Sequence, residues 1–371
     1  MKKPISNPKI NRLSIDRRSF LKTAGLGGMA LSFPFPDFPD YLKTVPMGIV
    51  VHSYGVRWNS KVESKNYPGF QNALDLINHC HSIGAGGVQV GVNNWSSDFA
   101  KQVRDTREKL GLYLEGSITL PKTEADVSNF EKEVLGAKEA GATVLRTACL
   151  SGRRYENFKT EAEWLTFKTN SLNSIRLAEP IVRKHKMKLA VENHKDWKAQ
   201  ELADMIKNLS SEWVGVTLDF GNNYSLMEES SYVISTLAPY AFSTHVKDMG
   251  VKEYEKGFLL SEVPLGTGIV DLKSGVDLCR KYNPAITFSL EMITRDPLQI
   301  PCLEDGYWAT FENSSPLDLA KILRLVKAKE FPGELPSISK LDPEQKLAFE
   351  ENNNLACLAF SKERLGITDV G

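Results

Sequence analysis

Cysteine is scarce in this 371-residue chain. Its five residues, Cys80, Cys149, Cys279, Cys302 and Cys357, are widely spaced and form no Cys-x-x-Cys pair. An odd, scattered set excludes a disulfide framework as the source of the fold and reads as structural thiols. Excess charge of one sign is missing too, since Lys+Arg and Asp+Glu stand at 46 each. With no basic stripe either, a nucleic-acid or anionic-membrane surface is not indicated. The weakly apolar stretch Thr23–Phe33 falls well short of the roughly 20 residues that cross a bilayer, so it makes no stable anchor. No glycine-rich dinucleotide turn follows the first apolar strand, which argues against an open nucleotide-binding sheet. No internal repeat or low-complexity segment stands out. Of six histidines, His79, His81 and His185 fall on helical stretches and read as surface residues. The remainder is globular in composition: 42% hydrophobic and 25% charged residues allow a sizeable core.

Asp16-Arg17-Arg18-Ser19-Phe20-Leu21-Lys22, followed by the Gly/Ala-rich run Thr23–Phe33, has the order of a twin-arginine export signal. Residues 1–33 are therefore expected to be that signal and 34–45, with Pro34, Pro36 and Pro39, a linker. The twin-arginine translocase becomes an expected partner during export, and the periplasm or the exterior the expected location. No clear cleavage site fixes the start of the mature chain.

From residue 46 onward, short apolar runs alternate with stretches of helical spacing. Strands are expected at Met47–His52, Gly87–Gly91, Leu112–Ser117, Thr143–Ala148, a fifth reaching Glu192, a sixth Asp219, a seventh His245 and an eighth Glu291. Glycines such as Gly84, Gly111 and Gly141 mark helix ends between them, and Pro180 should kink a long helix over 160–186. Eight β/α units joined by right-handed crossovers favour a closed (β/α)8 TIM barrel, an α/β fold, over residues 46–330. Residues 331–371 form a C-terminal helical extension, with a helix near 343–360 whose Leu347, Leu355 and Leu358 would face the barrel.

Lys188-Leu189-Ala190-Val191-Glu192 reads as a strand buried on both faces that nevertheless ends in a carboxylate. The next three strands end the same way, in Asp219, His245 and Glu291. In such a barrel the carboxyl ends of all strands converge on one face, so these four side chains become neighbours. Three crowded carboxylates raise one another's pKa unless a cation neutralises them. Three oxygens and an imidazole suit Mn²⁺ best, with Mg²⁺, Co²⁺ or Zn²⁺ as alternatives.

Val191-Glu192-Asn193-His194, Leu218-Asp219-Phe220-Gly221-Asn222, His245-Val246-Lys247-Asp248, Pro264-Leu265-Gly266-Thr267-Gly268 and Leu290-Glu291 together resemble the xylose isomerase-like barrel superfamily, in its sugar phosphate isomerase/epimerase group. The resemblance covers roughly residues 46–330. It implies that Glu192, Asp219, His245 and Glu291 bind one divalent cation, and that Glu192 and Glu291 exchange a proton with a substrate carbon beside a carbonyl, through an enediolate. Ketose 3-epimerases of this group carry a His and an Arg where this chain has Asn222 and Val251, so substrate oxygens must be held differently here. Lys247 is a candidate replacement cation.

Further candidates for substrate contact are His194, Asn222, His52 and Arg146, with Glu115 also near a strand end. Arg153 and Arg154 read as a solvated loop pair rather than an anion grip, and Trp58, Trp95, Trp197 and Trp308 as loop aromatics suited to packing or to stacking on a sugar. The expected partner is a small carbohydrate, with a homo-oligomer as a possible assembly. Three functions follow. The first is a secreted metal-dependent isomerase or epimerase. The second is a lyase using the same first step for β-elimination. The third is a non-catalytic carbohydrate-binding barrel, against which both glutamates speak. A three-zinc phosphodiesterase resembling endonuclease IV lacks the histidines it needs.

Overall fold

The computed structural model describes residues 45–311 and 314–368; the expected export signal and nearly all of the linker lie outside them. Eight parallel strands close into a barrel. They are β1 (Gly48–Val50), β2 (Gly87–Gly91), β3 (Tyr113–Ser117), β4 (Val144–Thr147), β5 (Lys188–Glu192), β6 (Val214–Asp219), β7 (Ala241–Val246) and, after an inserted hairpin, β10 (Thr287–Leu290). Ring order is β1-β10-β7-β6-β5-β4-β3-β2, so the four strands that bring Glu192, Asp219, His245 and Glu291 are consecutive staves. Asp219 and His245 are register partners across β6 and β7.

Helices alternate with the strands as the apolar spacing predicts. Ser97–Leu110 starts at a Ser96 side-chain cap and stops at Gly111, whose φ of 68° suits glycine. Pro180 is accommodated inside one continuous helix, Glu161–His185. Leu76, Ile77, Val103, Val134, Ile175 and Val182 face inward from successive helices to meet Val88, Leu114, Leu145 and Leu189 of the strands. The barrel interior is not wholly apolar: Gln89, Glu115, Arg146, Thr217, Ser243 and His245 are all buried. Such groups are tolerated only when hydrogen-bonded, and Thr217 Oγ1 lies 2.9 Å from Ser243 Oγ.

The stretch after His245 adds strands beyond the eight expected ones. β8 (Asp248–Tyr254) and β9 (Gly257–Val263) form an antiparallel hairpin, extended by β11 (Leu298–Ile300) into a separate three-stranded sheet. Its base is fixed by Asp248, which accepts backbone N–H groups from Gly266 (2.9 Å), Gly268 (2.8 Å) and Val270 (3.0 Å). A side chain at position 268 would fall 2.3 Å from Asp248 Oδ1, which is why the Gly-Thr-Gly turn needs its second glycine. The C-terminal helix runs on to Arg364 and buries Leu347 but leaves Leu355 exposed.

That helix instead anchors with polar groups. Glu350 accepts the backbone N–H of Val56 (2.7 Å) and Arg57 (2.9 Å), and Asn354 Nδ2 donates to Ser53 O (2.7 Å). The chain after β1 therefore leaves the strand two residues earlier than its apolar run suggests and enters a 3-10 turn, Val51–Tyr54. Burial pushes the Glu350 carboxyl up to about 7 against the pull of those two N–H donors. A raised carboxyl stabilises the fold below its unfolded pKa, and that contribution is lost as pH climbs through about 7, a swing of about 3 kcal/mol. Glu350→Gln stays neutral throughout. The melting-temperature advantage of wild type over this variant is expected to shrink between pH 5 and pH 8, and a constant difference in scanning calorimetry would refute the assignment.

Candidate metal centre

Glu192 ends β5, Asp219 ends β6, His245 is the penultimate residue of β7 and Glu291 follows β10. All four side chains are buried, and one ligating atom from each lies within 4.8 Å of the others. His245 Nδ1 stands 3.5 Å from Glu192 Oε1, 3.6 Å from Glu291 Oε1 and 3.9 Å from Asp219 Oδ2. It has no hydrogen-bond partner although it is buried. The reason lies on its other side. Gln89 Nε2 donates to Glu115 Oε2 (2.7 Å), which turns Gln89 Oε1 toward His245 Nε2 at 2.8 Å. Nε2 must therefore donate, and in the neutral ring Nδ1 keeps its lone pair aimed at the carboxylates. Thr287 Oγ1 holds the second oxygen of Glu115. An unpartnered buried nitrogen converging with three carboxylate oxygens fits a divalent cation, and a hard O₃N donor set suits Mn²⁺, Mg²⁺ or Zn²⁺.

Each carboxylate also has partners of its own. Arg146 donates through Nε (2.6 Å) and Nη2 to Glu192 Oε2, while Asn222 Nδ2 reaches Oε1 at 3.1 Å. Burial raises the Glu192 carboxyl, but Arg146 and His245 outweigh it and hold it well below the usual carboxylate range. Glu291 is likewise raised by burial and drawn well below normal by Lys247 and His245. Its Oε2 accepts from Lys247 Nζ and its Oε1 from His52 Nδ1 at 3.0 Å. Asp219 is pushed up by burial and by its carboxylate neighbours, with Lys247 opposing. Lys247 Nζ lies 2.8 Å from Asp219 Oδ2, an ion pair without hydrogen-bond alignment, and 3.3 Å from Asn222 Oδ1. Burial alone would discharge this lysine; Asp219 and Glu291 keep it protonated. Burial pulls His245 down, and the two glutamates more than offset that, so its pKa is raised.

The backbone explains the spacing of the motif. Asp219 Oδ1 accepts the N–H groups of Gly221 (2.9 Å) and Asn222 (2.7 Å), and Asn193 clasps both backbone groups of Asp219 from the neighbouring strand. A side chain at position 221 would fall 2.9 Å from Lys247 Cγ and 2.6 Å from Met249 Cγ. Glycine there lets the lysine stem reach the centre.

Of the other candidates, Arg146, Asn222, Lys247 and His52 thus all touch a residue of the cluster. His52 is on the turn after β1, and its side chain is 49% exposed, which makes it the solvent side of the site. His194 is half-buried beside it with Nδ1 unpaired; burial, reinforced by Lys195, lowers it to about 3, so the ring stays neutral. Arg154 is a correction: it is no solvated loop residue but is buried over Trp164 (3.7 Å to the ring centre) and bonds Thr310 and Glu201. Arg153 pairs with Glu156. The four tryptophans pack against Phe70, Phe99, Trp164 and Tyr307 in their loops. His79 and His185 are not free surface residues either: they bond Tyr54 and Glu131.

Four residues at the site escape a reading by strand ends. Gln89 could have been suspected as a polar residue inside the apolar strand Gly-Val-Gln-Val-Gly. Lys195 and Arg295 lie on connections, and Glu262 on the inserted strand β9, whose paths no local pattern reveals.

A family profile described as "Xylose isomerase-like TIM barrel" matches residues 77–310. A curated relative, the uncharacterized protein YihM of Escherichia coli (strain K12), is 26% identical over 110 residues, 30% of this chain and 33% of that protein, so the chain spans about a third of its length. Among solved structures, D-psicose 3-epimerase in the presence of D-fructose superposes with a TM-score of 0.56 at 15% identity, covering 86% of this chain and 99% of that one. A xylose isomerase-like TIM barrel protein from Mycobacterium smegmatis in complex with magnesium gives 0.50 at 16% identity, covering 77% and 97%. At such identities the likeness is one of fold.

Proposed function

This chain belongs to the xylose isomerase-like TIM barrel family, and from that premise we propose that it is a divalent-metal-dependent enzyme moving a proton on a carbon beside the carbonyl of a sugar or sugar derivative, as an isomerase or epimerase. The observation that carries this is the convergence of Glu192, Asp219, His245 and Glu291 within 4.8 Å, with His245 Nδ1 buried and unpartnered among the carboxylates. These four residues would hold the cation, with Mn²⁺ the first choice. When bound, it polarises a substrate carbonyl and its neighbouring hydroxyl and stabilises the anion left by C–H removal.

The chain's own residues supply the rest. Glu192 and Glu291 are kept ionised by Arg146 and Lys247, so each can accept a proton at neutral pH. One carboxylate takes the proton from the substrate carbon and the other returns one, to the neighbouring carbon or to the opposite face. Asn222 bonds Glu192 Oε1, and the exposed His52 connects Glu291 to solvent. Twin-arginine export of the chain is part of the same proposal, tested by loss of periplasmic accumulation when Arg17 and Arg18 are both changed to lysine.

The test is incubation of the Mn²⁺-loaded protein with keto-sugars in deuterated water. Exchange beside the carbonyl that chelators abolish is the expected result; no exchange with any keto-sugar, or exchange indifferent to chelation, would sink the proposal. A lyase is the second reading, favoured by the exposed His52 bonded to Glu291, a group placed to protonate a departing oxygen. Loss of water or an aglycone, instead of an intact skeleton, decides for it.

Gln89→Leu removes the acceptor that fixes the His245 tautomer. Divalent-ion affinity is expected to fall about 10–100-fold in calorimetric titration, with the barrel still folded. Unchanged affinity would show that the Glu115–Gln89–His245 chain does not orient the ligand.

A further inference from the structure

Glu291 is gripped from the turn Val51–Tyr54 by more than His52. β1 and β10 pair at Gly48 with Ser289 and at Ile49 with Leu290, and β1 then ends at Val50. A parallel ladder carried one step further would have bonded the carbonyl of Leu290 and the N–H of Met292, the groups on either side of Glu291. Ser53 makes both bonds with one hydroxyl. Its Oγ donates to Leu290 O (2.8 Å) and accepts the Met292 N–H (2.9 Å). On the other side, the Glu291 N–H donates to Val246 O of β7 (3.0 Å). The Glu291 backbone is thereby pinned from both neighbouring strands. β1 is meanwhile released to turn and set His52 Nδ1 3.0 Å from Glu291 Oε1.

Ser53 is itself held by the C-terminal helix, Pro343–Arg364. Its carbonyl accepts from Asn354 Nδ2 at 2.7 Å, and Glu350, one turn earlier, takes the N–H groups of Val56 and Arg57. Asn354 is fully buried, and its Oδ1 has no partner among the described residues. An unpaired buried carbonyl is costly, so a helix that needed only to dock would be better served by an apolar residue there. The one side-chain hydrogen bond of Asn354 goes to the turn that clasps Glu291. His52, Ser53, Glu350 and Asn354 all lie outside residues 77–310, the part of the chain that carries the family likeness.

Resting on the proposed isomerase or epimerase reading, we infer that the C-terminal helix completes the active site. Ser53 and, through it, Asn354 are positioning residues that hold Glu291 in place as cation ligand and proton carrier. Both act through the Glu291 backbone.

The test compares Ser53→Ala and Asn354→Ala with Val134→Ala, all in the full chain. Val134 is a fully buried residue of the helix Val127–Glu139, and shortening it loosens the core without touching the turn. Each protein is titrated calorimetrically with Mn²⁺ well below its melting temperature. Affinity is expected to fall about ten-fold in Ser53→Ala and about three-fold or more in Asn354→Ala, and to stay within about two-fold in Val134→Ala. At saturating Mn²⁺, carbon–hydrogen exchange with a keto-sugar that wild type processes should lose kcat in the first two variants, with KM nearly unchanged. Wild-type Mn²⁺ affinity in either of them, an equal loss in Val134→Ala, or an effect on KM alone overturns the inference and leaves the isomerase reading standing. Should one of the two fail to fold, the other decides by the same measure. Failure of wild type to exchange any keto-sugar overturns the isomerase reading instead, and the Mn²⁺ titration still decides whether the helix acts on Glu291.

Discussion

Glu291→Gln is expected to reduce metal-dependent carbon–hydrogen exchange by about 10²–10⁴-fold, the range over which a positioned acid or base contributes. The substitution keeps the size of the side chain and one oxygen for a cation, but removes the basic site that Lys247 and His245 hold ionised. Lys247 keeps its second partner, Asp219 Oδ2 at 2.8 Å, so the barrel should remain folded. Glu192→Gln is expected to be at least as inactive, but it is the less clean experiment. It strands the buried Arg146 guanidinium, whose Nε and Nη2 both rest on Glu192 Oε2. Single-turnover exchange followed by NMR reads the result. Wild-type exchange in Glu291→Gln would remove this glutamate from proton transfer and leave it, at most, a ligand.

Lys247→Met should produce the largest stability change. Lys247 is fully buried between Asp219 and Glu291, and deleting it leaves two carboxylates facing each other without a cation. Breaking a buried pair on one side costs about 3–5 kcal/mol, because the abandoned charge cannot recover its hydration. In chelator the variant is therefore expected to melt well below wild type. With Lys247 gone, the Asp219 carboxyl rises further above its unfolded value and the Glu291 carboxyl loses the main pull that holds it below its own. Stability is then present at low pH and lost as pH rises, so the deficit should widen toward alkaline pH. Mn²⁺ should recover most of it, since a cation between the same oxygens replaces the missing charge. Equal melting in chelator would refute the ion-pair account. A deficit that Mn²⁺ does not narrow would count against a metal at this place.

Much of the fold could be read directly. The strand ends at Glu192 and Asp219 and the helix stop at Gly111 follow from runs of apolar residues and single-residue backbone preferences, which are local. The hairpin β8–β9 could not. Its turn sits in Glu253-Tyr254-Glu255-Lys256, a charged run with no turn signal before Gly257, and its pairing depends on where β11 returns. Arg154 failed for a related reason. A loop arginine is exposed by default, and only the approach of Trp164 and Thr310 from distant segments makes a buried place for it.

The sequence by itself determined that four metal-competent side chains end four successive barrel strands, because strand periodicity and barrel closure carry them to one rim. Tertiary structure alone decided what each of them faces. Gln89 and Glu115 set the proton on His245, Arg146 and Lys247 keep the glutamates charged, and Lys195 is folded beside Asn222. Those pairings join residues far apart in the chain, and a buried polar group takes whichever partner the packing brings within reach.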